Sequence, residues 1–79
     1  MQVSAEFTIE PFVEGQPGAH VRAGLDALRD EGFAVEVGPF GSAIVGDPEP
    51  VAAALSRLVA AATANGATRV SLQVTVVEA

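Results

Sequence analysis

The sequence predicts an α+β fold: a four-stranded antiparallel sheet with two helices on one face, in the order strand, helix, strand, strand, helix, strand. Three observations predict it. Three segments alternate apolar and polar residues with a period of two, and a fourth short segment is apolar and bounded by glycines. Two longer segments repeat their apolar residues at helical spacing. Clusters of glycine and proline separate these segments where the chain must turn.

The elements follow in chain order. From Gln2 to Glu10, Val3, Ala5, Phe7 and Ile9 fall on one face and Ser4, Glu6, Thr8 and Glu10 on the other, the pattern of a half-buried strand. Pro11 lacks the N–H that a strand ladder needs and ends the pairing. A loop over Phe12–Gly18 leads to a helix reaching about Glu31, with Val21, Leu25 and Leu28 inward and Arg22, Asp26, Arg29 and Asp30 outward. Arg22 with Asp26 and Asp26 with Arg29 stand at pairing distance along that helix, and Gly32 occupies the position of a left-handed cap. Phe33, Val35 and Val37 are expected inward on a second strand, with Ala34 and Glu36 outward. A short strand over Ser42–Val45 comes next. Asp47 then serves as N-cap, with Pro48 at the first helical position and Glu49 where negative charge suits the helix dipole. The second helix runs to about Asn65 on a stripe of Val51, Leu55, Leu58, Val59 and Ala62 and stops at Gly66. Thr68–Val77 alternates again, with Val70, Leu72, Val74 and Val76 inward against Ser71, Gln73, Thr75 and Val77. Two right-handed crossovers on one antiparallel sheet give the ferredoxin-like βαββαβ arrangement, which leaves one sheet face bare.

Size and composition narrow the function. Residues 1–79 suffice for a single domain, and so small a domain buries only roughly 60% of the surface its unfolded chain exposes. Without cysteine it has neither disulfides nor a thiolate metal site, yet 49% of its residues are hydrophobic, a combination that favours self-association. The net charge is -6 with no lysine, which repels nucleic acid and anionic lipid surfaces and suits a cationic small ligand. No apolar run is long enough to span a bilayer, and no basic, apolar leader opens the chain, so the expected location is cytoplasmic.

The stretch Val37–Asp47, with Gly38, Pro39, Phe40, Gly41 and Gly46, is either a plain hairpin connection or one wall of a pocket beside the bare face. That face should carry Ser4, Glu6, Thr8, Glu10, Glu36, Ser71, Gln73, Thr75 and Val77. Short hydroxyls, an amide and carboxylates let another sheet pack about 10 Å away and bind across the gap or to a trapped ligand. Other chemistry is sparse. His20 has no second histidine or cysteine at ligand spacing and is expected as a solvated residue of the first helical turn. No serine is paired with a base in a nucleophile motif, and no glycine-rich nucleotide fingerprint is present. Glu6 and Glu10 share a face and form the single candidate carboxylate pair for acid/base work.

Two segments, Ala5-Glu6-Phe7-Thr8-Ile9-Glu10-Pro11-Phe12 and Val37-Gly38-Pro39-Phe40-Gly41-Ser42, resemble the small thiamine-binding protein family. Gly46-Asp47 and the entry Asn65-Gly66-Ala67-Thr68-Arg69-Val70 also fit, so the resemblance spans nearly the whole chain. It implies a ferredoxin-like fold whose bare sheets pack together in homo-oligomers, dimers or tetramers. It also implies binding of thiamine or its hydroxymethylpyrimidine moiety, with no catalysis, no cofactor and no metal. Carried onto this sequence, it points to Glu6, Thr8, Gly38, Phe40 and Ser42. Glu6 would be the principal acceptor, Thr8 and Ser42 orienting hydroxyls and Phe40 a flat wall, with Glu10, Glu36 and Gln73 secondary. Glu10 and Val45 depart from the family pattern, the latter where an acidic residue is common.

Two other readings compete. A self-associating structural or regulatory module, binding another small metabolite such as an amino acid, would use the apolar excess at a subunit interface. An enzyme of the dimeric α+β-barrel kind would need His20 or the Glu6/Glu10 pair to act as its base.

Overall fold

The computed structural model describes residues 1–12, 15, 18–38 and 41–78. Strand β1 (Gln2–Glu10) leads to helix α1 (Ala19–Asp30), and the hairpin of β2 (Glu36–Gly38) and β3 (Gly41–Gly46) to helix α2 (Pro48–Ala64) and strand β4 (Arg69–Glu78). The four strands form one sheet in the order β2-β3-β1-β4, every neighbouring pair antiparallel. This is the ferredoxin-like α+β fold.

Alternation in β1 does what its pattern demands. Val3, Ala5, Phe7 and Ile9 are buried, joined by Ile44 from β3, Leu28 from α1 and Val51, Ala54, Leu55, Leu58 and Ala62 from α2. Each large side chain withdrawn from water here contributes about 1.5–3 kcal/mol. The helices approach the sheet closely because small residues stand at the crossings. A Cβ added to Gly24 would lie 2.7 Å from Ile9 Cδ1 and 2.8 Å from Leu58 Cδ1. Both helices end on a glycine with positive φ, Gly32 at +90° and Gly66 at +103°. Phe33 N–H donates to Leu28 O at 3.1 Å and Gly32 N–H to Arg29 O at 2.9 Å, a hydrogen-bonded reversal that needs the left-handed residue. Ala67 and Ala62 repeat the longer of these bonds after α2, at 3.0 Å.

Several expectations are corrected. Strand β2 begins only at Glu36; Phe33 and Val35 pack against the core from the preceding segment, and Val37 is 61% exposed. In β4 only Val70 is half-buried, while Leu72, Val74 and Val76 are 43%, 53% and 57% exposed. Val70, Leu72, Val74 and Val76 stand on the helix side, opposite Ile9, Phe7, Ala5 and Val3 in that order, but the helix layer lies over β1 and β3 and scarcely reaches the edge strand. Asp47 precedes α2 as the N-cap residue, yet its side chain makes no capping bond and instead accepts from Gln2 Nε2. On α1, Arg29 approaches Asp26 at 3.7 Å, and the Arg22–Asp26 pair is absent from the ion pairs of the described residues. His20 is buried rather than solvated, its Nε2 2.6 Å from Pro11 O.

Candidate functional site

Strand register turns the uncovered face into a grid, because residues paired across antiparallel strands point to the same side. One row crosses the whole sheet: Gln73 of β4, Glu6 of β1, Ala43 of β3 and Glu36 of β2. On one side of it stand Ser71 and Thr8, with Gly41 and Gly38 paired at the hairpin end. A Cβ built on Gly41 would meet Thr8 Cγ2 at 3.4 Å, so the glycine is the neighbour of Thr8 in that row. On the other side Ser4 lies between Val45 and Thr75.

These first two rows enclose a shallow hollow of about 570 Å³. Its floor is nearly bare backbone, since Gly38 and Gly41 offer no side chain and Ala43 only a methyl. Its walls are Glu6, Thr8, Glu36, Ser71 and Gln73. Strand spacing sets Glu6 and Glu36 roughly 10 Å apart on either side of Ala43. A flat ring fits that floor, with carboxylates at both edges to accept hydrogen bonds from an amine or to attract a cation.

Of the residues singled out from sequence, Glu6, Thr8, Glu36, Gly38 and Gln73 are brought together here. Ser42 also lines the hollow, but it pairs with Phe7 and Val37, so its side chain belongs to the helix side, away from Glu6 and Thr8. The side-chain hydroxyls on the bare face of the hollow are those of Thr8 and Ser71. Glu10 lies outside the hollow, opposite Arg69 in the register, with its carboxylate 3.7 Å from the Arg69 guanidinium. Phe40 lies outside the described residues. Gly41 and Ser71 were expected at the turn and on the bare face but not among the ligand residues, and Ala43 was not singled out; counting strand parity from the hairpin is the signal that finds Ala43.

Glu6, Glu10 and His20, the residues the sequence offered for acid/base work, lie apart. Glu6 and Glu10 are four residues apart on an extended strand, roughly 13 Å, with Thr8 between them. His20 sits under the sheet on the helix side, bonded to a main-chain carbonyl. Among the described residues no group of acidic, histidine or cysteine side chains is placed to hold a metal ion. A second depression, about 800 Å³, runs between the helices, lined by Ala27, Ala53, Ala60 and Ala61 and by the Arg57–Glu31 ion pair at 2.6 Å.

A family model described as thiamine-binding protein matches residues 5–78. The chain belongs to the thiamine-binding protein family. Both rows of the hollow fall inside the matched span, and the family implies a small-molecule ligand for this thiamine-binding protein. Solved structures agree on the fold. A domain of unknown function from Bacillus cereus superposes with a TM-score of 0.69 at 20% identity, covering 94% of this chain and 72% of that one. A hypothetical protein from Methanocaldococcus jannascii gives 0.69 at 22%, with coverage of 99% and 80%. A putative thiamine biosynthesis/salvage protein from Thermotoga maritima gives 0.58 at 22%, with coverage of 95% and 81%. At such identities the likeness establishes the fold alone. No curated protein matches the chain. Among the described residues no helix is long and apolar enough to cross a membrane.

Proposed function

We propose that this thiamine-binding family member is a non-enzymatic, cytoplasmic binding protein for thiamine or its hydroxymethylpyrimidine moiety, residues 1–79 acting as one ligand-binding domain. The observation that carries the reading is the side-chain-free floor of Gly38, Gly41 and Ala43 flanked by Glu6 and Glu36. An aminopyrimidine ring lies flat on that floor. Its exocyclic amine donates to Glu6, while Thr8 and Gln73 answer the ring nitrogens as donors. The thiazolium of thiamine is a cation, and it rests over Ala43 between Glu6 and Glu36, in a field that the chain's net charge of -6 reinforces.

The hollow is open on a sheet face, so one chain covers only one side of a ring. A second sheet packed about 10 Å above would cover the other. Copies are therefore proposed to associate through the bare face, where Ala43 and Val45 add apolar area to the polar rows. Neither role needs a base or a nucleophile, in keeping with the dispersal of Glu10 and His20.

Calorimetric titration with thiamine and, separately, with hydroxymethylpyrimidine tests the reading. Saturable heat with at least one of them is expected, lost when Ala43→Phe fills the floor. No heat and no thermal shift at millimolar concentration of either ligand sinks it, and saturable binding of amino acids alone would favour a regulatory module instead.

A further inference from the structure

Glu10 and Arg69 take no part in the lining of the hollow, yet they border it. The register pairs them across β1 and β4 at the hairpin end of the bare face, one row beyond Thr8 and Ser71. Rows on one face of a sheet are roughly 6.6–6.8 Å apart, so the backbone of Arg69 stands a single step from the hollow. Its Nε lies 3.7 Å from Glu10 Oε2, and its side chain is 73% exposed.

This arginine is singular in its position. The chain has no lysine, and Arg22, Arg29 and Arg57 belong to the two helices, which cover the opposite face of the sheet. His20 also lies on the helix side, bonded to the Pro11 carbonyl. On the bare face Arg69 therefore stands alone against the carboxylates of Glu6, Glu10 and Glu36, and the nearest of these in the register already faces it.

We propose that Glu10, by holding Arg69, makes the hollow selective for unphosphorylated ligand. The inference rests on the binding reading above and adds to it which form of the ligand is taken. A phosphate monoester carries a charge of about −1.5 to −2 near neutral pH. It is recognised best by a guanidinium, whose fork of N–H donors matches two of its oxygens. Here the guanidinium beside the hollow is offset by a carboxylate, and Glu6 and Glu36 repel an ester from the floor itself. A second copy packed over the face would bring the same arginine, paired in the same way, and the same carboxylates. Association thus adds no free cation. Thiamine and hydroxymethylpyrimidine each carry a primary hydroxyl, so the protein takes them before a phosphoryl group is transferred to that hydroxyl or after one has been removed by hydrolysis.

Titration calorimetry at low salt tests this, with thiamine, hydroxymethylpyrimidine and the monophosphate ester of each. Wild type is expected to bind each ester at least about tenfold more weakly than its parent. Glu10→Gln keeps the length of the side chain and removes its charge. With Arg69 released, the esters should gain about fivefold in E10Q while the parents change by less than about twofold. That gain should vanish in the E10Q/R69A double variant and shrink at high salt, with circular dichroism showing each chain folded. A merely structural role for the pair would move ester and parent together. Equal wild-type affinity for ester and parent overturns the selectivity and leaves the binding reading standing. So does an E10Q chain whose ratio of affinities is that of wild type, or a gain that survives Arg69→Ala. Failure of both parents and both esters to bind overturns the two together.

Discussion

Replacing Glu6 and Glu36 with glutamine, singly and together, tests the charge contribution of the hollow while preserving shape and an acceptor oxygen. A cation seated over Ala43 lies about 5 Å from each carboxylate, given a strand spacing of about 4.8 Å. Coulomb's law at that distance gives about 0.8 kcal/mol in bulk water and about 3 kcal/mol at an effective dielectric of 20. Both glutamates are exposed, which holds the interaction near the lower figure, about 1 kcal/mol each. Each single variant should then weaken thiamine binding about fivefold. The two carboxylates stand on opposite sides of Ala43 and do not touch, so the losses add to about thirtyfold in the double variant. Neutral hydroxymethylpyrimidine lacks the cation and should lose less than about threefold, since glutamine keeps the oxygen that Glu6 presents to the amine. Titration calorimetry with both ligands, at low and at high salt, reads all of this, and added salt should shrink the difference between wild type and variant for thiamine. If the double variant binds thiamine as tightly as the wild type, the ligand is not held between Glu6 and Glu36.

Three further substitutions separate packing from binding. Leu58→Ala empties a fully buried position against Gly24 and should cost about 2–5 kcal/mol, seen as a lower urea midpoint at unchanged slope. A domain of this length holds only roughly 4–12 kcal/mol in total, so the variant should be near unfolding at ambient temperature. Gly32→Ala forces a Cβ into φ +90° at the end of α1 and should lower the melting temperature by a stability loss of about 1–2 kcal/mol. Glu10→Ala removes a surface pair with Arg69 and should change stability by less than about 1 kcal/mol. It should leave ligand affinity as it was, whereas a clear loss of thiamine binding would return Glu10 to the site.

Ser42 shows why the fold was legible while part of the site was not. The period-two pattern of β1 and the glycine stops after both helices identify the elements, because alternation and left-handed caps are local properties of the chain. Which face a strand residue occupies is also local, but only once the hairpin's closing pair is known. Gly38 pairs with Gly41 around a two-residue connection, and Val37 must then share a face with Ser42. Assigning Val37 inward and Ser42 outward therefore required a different loop, and the same parity count brings Ala43 to the bare face between Glu6 and Glu36. Coverage is the property that no local pattern encodes. Leu72, Val74 and Val76 alternate as regularly as Val3, Ala5 and Phe7, yet they are exposed because β4 is the edge strand and β1 is central. Apolar residues on an exposed edge cost solubility, so their presence there cannot be read from the strand's own pattern. Alternation in β4 is thus as strict as in β1, while its coverage is set by its place in the sheet order.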